Sequence, residues 1–306
     1  MAGLVGCAAG LGHEINPWCA RNDDLFTKTF AQKSFDSARS ELGLGPAVLP
    51  STWETFFNYK PHTCTKLELP TTCMVYQTIL KCGNNAIRAS LLNGTRSLHL
   101  DAQDFVCREW PDIQCLKDKP VMRWTFVREP LSHYISGYGE YMYREYVHRD
   151  NYVNADQKFE EIRAKVRDKD QPLAYVLNQI SGPHWLFEHS VNAKHMSLMS
   201  GVARERDGEP PLQYVGHLSN ADEEWTELFE IADVTESVLE NLRLNKELGP
   251  HMSSLDQIGA RGELRQILLT NSTIRRGLCR LLERDYVCFN YDFEACLDGS
   301  ALIHSH

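Results

Sequence analysis

Twice in this chain a strand-type run passes directly into a helix-type run, with a cation at the point of change. The first passage is MVYQTIL (Met74–Leu80) into KCGNNAIRASL (Lys81–Leu91). The second is Val121–Val127 into REPLSHYISGYGEY (Arg128–Tyr141). β-Branched and aromatic residues mark both runs as strands, and Pro130 suits the first turn of a helix. Strands that alternate with helices build a mostly parallel sheet, because parallel neighbours are joined by crossovers that lay helices on its faces. The expected class is therefore α/β, with a central parallel sheet and helices on both faces.

Further elements extend this rhythm. Ala86–Leu92 reads as a helix, Ser97–Leu100 as a short strand and Leu131–His148 as a long, tyrosine-rich helix. Gln157–Lys169 reads as a solvated helix, Tyr214–Leu218 as a strand, and Asp222–Ile231, Thr235–Leu248 and Ser272–Arg284 as helices. Residues 1–70, punctuated by Pro46, Pro50, Pro61 and Pro70, read as irregular, with one helix around Lys28–Leu42. The expected division is an N-terminal extension over 1–64 and one main domain over 65–300.

Charge limits what such a domain binds. With 32 Lys and Arg against 41 Asp and Glu, the net charge is −9. Such a chain has no general attraction for nucleic acid, anionic membranes or highly sulfated polymers. Any bound anion is held locally, by a few placed cations and backbone amides. The N-terminal apolar run MAGLVGCAAGLG lacks a basic n-region and is shorter than the roughly 20 residues of a membrane span. No transmembrane span is read in this chain, and a truncated anchor or a poor signal stays open.

Ten cysteines occur, without CxxC spacing. The pairs Cys64/Cys73, Cys107/Cys115 and Cys288/Cys296 lie eight or nine residues apart, which is compatible with local disulfides in an oxidising compartment. Connectivity does not follow from spacing. The sequons Asn93-Gly-Thr and Asn271-Ser-Thr point to the same compartment.

Each strand-to-helix passage has the chemistry of an anion site. Ligands of parallel sheets bind where strand passes to helix, and a helix N-terminus offers unpaired N–H groups and partial positive charge. Gly83 permits close backbone approach, Lys81 adds a full charge, and the small Ala86 lets the helix start tightly. Arg128 presents a guanidinium fork suited to phosphate. Ser136 lies eight residues on, roughly 80° round the helix axis. The GxxxxGK[ST] pattern is absent, which disfavours an ordinary ATPase or GTPase.

The order strand–Lys-x-Gly–helix, then strand–Arg-Glu-Pro–five residues–Ser, resembles the paired signatures of sulfotransferases that use 3′-phosphoadenosine 5′-phosphosulfate (PAPS). The likeness is nearest to the Golgi carbohydrate sulfotransferases. YVGHLSNADEEW (Tyr214–Trp225) and LLERDYVCFNYDF (Leu281–Phe293) are also similar to that family, so the resemblance covers roughly residues 72–293. It implies a P-loop-like phosphosulfate-binding loop over Lys81, Cys82, Gly83, Asn84, Asn85 and Ala86, with Arg128 and Ser136 on the 3′-phosphate. Two positions depart from the pattern. Glu129 replaces the usual Asp, and Asn84-Asn85 stand where Ser or Thr is usual, so an amide replaces a hydroxyl.

Sulfuryl transfer requires alignment, charge neutralisation and a base. Lys81 suits the leaving bridging oxygen. SLHLDAQDF (Ser97–Phe105) is similar to the stretch that holds the catalytic His of the uronyl 2-O-sulfotransferase branch, so His99 is the candidate base. Asp101 and Glu109 are the reserves, and Asp104 lies in the same stretch. The resemblance implies transfer to a hydroxyl, or less favourably an amine, of a carbohydrate or small metabolite in a Golgi or secretory lumen. A cytoplasmic enzyme, a kinase with a degenerate loop and a non-catalytic nucleotide- or glycan-binding protein are the alternatives. His184, His189 and His195 have no metal spacing and no metal is assigned. The tyrosines of 131–148 and Met142 read as packing, and Arg261-Gly262 as a solvated loop.

Overall fold

The computed structural model describes residues 15–16, 19, 24–49, 56–57, 63–98, 100–107, 115–143, 195–203, 209–244 and 259–304. A five-stranded sheet in the order β3-β1-β2-β4-β5 forms the centre of the fold. Its strands are β1 (Thr63–Glu68), β2 (Cys73–Gln77), β3 (Asp101–Val106), β4 (Val121–Val127) and β5 (Leu212–His217). β2, β4 and β5 run parallel, as the sequence leads one to expect. β1 is antiparallel to both β2 and β3, so the sheet is mixed rather than wholly parallel.

Burial explains which strands were legible. Every residue of β2 and nearly all of β4 is buried, so these strands need apolar residues on both faces and read as apolar runs. Met122, Trp124 and Phe126 face one core with Tyr76, Tyr214 and Trp225. Val127 faces another with Val215, Met199 and Phe289. β1 (TCTKLE) and the edge strand β3 are partly exposed and carry polar residues, so β1 falls in a stretch read as irregular. The strand expected at Ser97–Leu100 is instead the end of a longer helix, α2 (Asn84–Leu98), and β3 starts at Asp101.

The longer of the remaining helices are α1 (Asp24–Glu41), α3 (Pro130–Tyr143), α4 (Ala221–Ile231), α5 (Glu236–Asn241), α6 (Ala260–Thr270), α7 (Ser272–Cys288) and α8 (Phe293–Asp298), with single turns at Cys115–Asp118 and Ala301–His304. α2 and α4 cover one face, through Ile87, Leu91, Trp225 and Phe229. α1, α3, α6 and α7 share a second core containing Phe35, Tyr134, Tyr138, Met142, Leu264 and Leu278. Tyr134, Tyr138, Tyr141 and Met142 of α3 thus pack, as expected. The helix read at Gln157–Lys169 lies outside the described residues.

Among the described residues four disulfides join Cys19 to Cys288, Cys64 to Cys107, Cys73 to Cys115 and Cys279 to Cys296. None follows the short spacing, and for Cys64 and Cys73 the sheet register gives the reason. In the β1–β2 hairpin Cys64 lies opposite Gln77 while Cys73 lies opposite Glu68. Four residues of strand therefore separate them, roughly 13 Å, well beyond the ~7 Å limit for a disulfide. Cys82 is a free, buried thiol.

Among the described residues no helix is long and apolar enough to cross a membrane.

Candidate active site

β2 ends at Gln77, and residues 78–83 turn into α2. Lys81 and Gly83 both adopt left-handed backbone, at φ +67° and +68°. For Gly83 the conformation is undemanding. A Cβ there would also lie 2.9 Å from Leu218 Cδ2, so the loop packs tightly on the segment that follows β5. Gly83 O accepts from Ile87 N at 3.0 Å, opening the helix and leaving the amides of Asn84, Asn85 and Ala86 at its N-terminus. The first turn of α2 carries no acidic side chain. Asn84 Nδ2 lies 3.4 Å from Asn85 Oδ1, so the two amides meet each other at the loop's exit.

The second passage is built against this loop. Arg128 follows β4 directly and lies beside the Cys82 thiol of the first loop. Burial pushes that thiol's pKa far up, so it is a neutral packing group rather than a thiolate. Glu129, in the place of the usual Asp, caps α3 by accepting from Leu131 N at 3.1 Å and Ser132 N at 2.6 Å. Tyr286 of α7 donates its hydroxyl to the same carboxylate. The longer side chain still caps, and the C-terminal motif supplies its anchor.

α3 also grips the loop. His133 Nε2 donates to the Leu80 carbonyl at 2.8 Å. Burial, assisted by the charges of Arg128 and Lys81, lowers the His133 pKa to about 4, so the ring is neutral at physiological pH. Two turns further on, Glu140 Oε2 accepts from Lys81 Nζ at 3.0 Å. Ser132, Ser136 and Glu140 fall at i, i+4 and i+8, one stripe of the helix. Ser136 is buried, and the buried Ser132 hydroxyl has no hydrogen-bond partner among the described residues.

The structure thus brings Lys81, Cys82 and Gly83 beside Arg128 and onto α3, which carries Ser136. His99 and Glu109 lie outside the described residues. Asp101 is paired with Lys66, and Asp104 accepts from Arg88 and from Thr65, so both are held in the sheet surface. Arg261 does not lie in a solvated loop. It sits in the first turn of α6, half-buried, with Cγ only 2.6 Å from where a Cβ on Gly139 would lie. His195 is buried, while His184 and His189 lie outside the described residues.

Sequence reasoning missed His133, Glu140 and Tyr286. For Glu140 a signal existed, since a glutamate four residues after Ser136 must share its face of α3. For Tyr286, 157 residues from Glu129, none did.

The C-terminal stretch closes the floor. Asp285 accepts from Met199 N and Ser200 N, both at 2.8 Å, and burial raises its pKa to about 6. Tyr291 stacks edge-on against His217, with ring centroids 4.9 Å apart. Among the described residues no group of His, Cys, Asp or Glu could hold a metal ion.

The family model described as "Sulfotransferase family" matches residues 70–292, more than half of the chain. No match was found among curated proteins or among solved structures.

Proposed function

Since the chain belongs to the sulfotransferase family, we propose that it moves a sulfuryl group from PAPS to a hydroxyl of a carbohydrate or small metabolite. The observation that carries this reading is the joining of the two anion-binding passages, through the hydrogen bond from His133 to the Leu80 carbonyl and the Lys81–Glu140 pair. The amides of residues 83–86 cradle the 5′-phosphosulfate. Arg128 and Ser136 hold the 3′-phosphate, and the Ser132 hydroxyl, without a partner among the described residues, offers one further donor.

In the reaction the acceptor oxygen attacks sulfur and the bond from sulfur to the bridging phosphate oxygen breaks. Lys81 neutralises that oxygen as adenosine 3′,5′-bisphosphate leaves. His99 takes the acceptor's proton. Asp101 and Asp104 support this assignment by being engaged elsewhere, with Lys66 and Arg88. The net charge of −9 favours a neutral glycan over a long anionic polymer.

Four disulfides suit an oxidising secretory lumen, and a Golgi enzyme follows from the resemblance. A glycan fits best at Asn271. This residue is exposed, and its Oδ1 caps α7 by accepting from Ile274 N, which leaves Nδ2 for the sugar. At the other sequon Thr95 is buried within α2.

The test is transfer of label from [³⁵S]PAPS to a panel of neutral glycans, with His99→Ala alongside. His99→Ala is expected to retain nucleotide binding and lose about 10²–10⁴-fold in rate. A chain stabilised by ADP and indifferent to adenosine 3′,5′-bisphosphate would instead be a kinase. Nucleotide binding without any turnover would fit the departure at Asn84-Asn85 and a non-catalytic role.

A further inference from the structure

Lys81 is held in an unusual way. Its backbone is left-handed, which is costly for a residue with a Cβ, and the surrounding fold must impose it. α3 meets the loop at two consecutive residues, where His133 binds the Leu80 carbonyl and Glu140 binds the Lys81 ammonium. The Lys81 and Glu140 side chains are only 15% and 12% exposed. A carboxylate this enclosed, beside the cation assigned to the donor, has two opposite consequences. It repels an incoming anion, because water screens little there. It also fixes the ammonium, whose three N–H groups let one lysine serve a carboxylate and a ligand together.

From these two effects we propose that Glu140 is a positioning residue of the donor site, and the inference rests on the PAPS reading above. Glu140 holds Lys81 Nζ in the orientation that meets the bridging oxygen as charge develops there, and in doing so it weakens ground-state binding of the nucleotide. A lysine free to rotate would form its best contact with the bound anion and lose alignment with the transition state, where alignment determines the rate. A staple that only joined α3 to the loop would behave otherwise. Its removal would loosen the loop, and affinity and rate would fall together.

The experiment compares wild type, E140Q and E140D by calorimetry with adenosine 3′,5′-bisphosphate and by turnover of labelled PAPS. E140Q removes the charge and keeps the shape. It is expected to bind the bisphosphate about 3–10-fold more tightly, with the gain largely kept at high salt because ions screen an enclosed carboxylate weakly. Its kcat is expected to fall by about 10-fold or more. E140D keeps the charge but retracts it by one methylene, so affinity stays within about twofold of wild type while kcat falls. Adding Lys81→Ala to E140Q should lower kcat little beyond Lys81→Ala alone, since both act through one group.

Unchanged or weaker nucleotide binding by a folded E140Q chain overturns the proposal, as does an unchanged kcat. Should E140Q not fold, E140D decides, and full activity there overturns it equally. Wild-type chain that fails to bind the bisphosphate sinks the donor reading together with this inference. Wild-type binding without the opposed changes sinks the role of Glu140 alone.

Discussion

Replacing Gly83 by alanine puts the loop geometry under direct test. At φ +68° an L-residue costs about 1–2 kcal/mol relative to glycine. The new methyl would lie 2.9 Å from Leu218 Cδ2 and 3.8 Å from Ile87 Cδ1. Leu218 Cδ2 is the far end of a flexible side chain and can move by a few tenths of an ångström, so the clash adds little and the backbone cost dominates. The chain can accept that strain, or relieve it by letting the loop leave its cradle. In the first case stability falls by about 1–3 kcal/mol, a melting shift of several degrees for a domain of this size. In the second, stability is nearly unchanged and the strain appears in ligand affinity, where 1.4 kcal/mol is tenfold, so adenosine 3′,5′-bisphosphate binding weakens by about 5–50-fold. Thermal unfolding with and without the bisphosphate separates the two cases. G83A/L218A removes the clash alone and should recover only a small part of the loss. A G83A chain with wild-type melting and wild-type affinity would refute both the left-handed loop and its role as an anion cradle.

Arg128→Ala is expected to weaken adenosine 3′,5′-bisphosphate by about 1.5–3 kcal/mol, the range of a charge-assisted contact, and adenosine 5′-phosphosulfate far less. Equal losses in calorimetry would make Arg128 structural. The Asp285 carboxyl binds its proton more tightly folded, at about 6, than unfolded, so its contribution to stability is complete below the unfolded value near 4 and is lost as pH rises through 6. The stability of wild type relative to Asp285→Asn, followed by denaturant titration, should therefore decline between pH 4 and 7, and a flat difference would show that burial does not govern this group. Peptide mapping of non-reduced, thiol-blocked protein should recover Cys19–Cys288, Cys64–Cys107, Cys73–Cys115 and Cys279–Cys296, with Cys82 alkylated only after unfolding. Recovery of a Cys64–Cys73 bridge would contradict the sheet register.

What the sequence determined by itself is local. β4 was legible to the residue, because a strand buried on both faces is mostly apolar and β-branched, here with only Arg123 as a charged interruption. The two cation-bearing turns were legible because glycine, proline and the change of hydrophobic period act over a few neighbouring positions. The tertiary structure alone decided what depends on residues far apart in the chain. β1 became an antiparallel neighbour of β2 through a hairpin whose polar sequence TCTKLE carries little apolar signal. Cys64 met Cys107 rather than Cys73 because pairing across strands, and not distance along the chain, sets which side chains face each other. Within the site, Lys81 was recognisable from the turn that holds it. Its partner Glu140 is 59 residues away and became its partner only when α3 packed along the loop. Residue type and spacing record the propensities of a segment, whereas the contacts that complete a site arise from the packing of whole elements, which neither records.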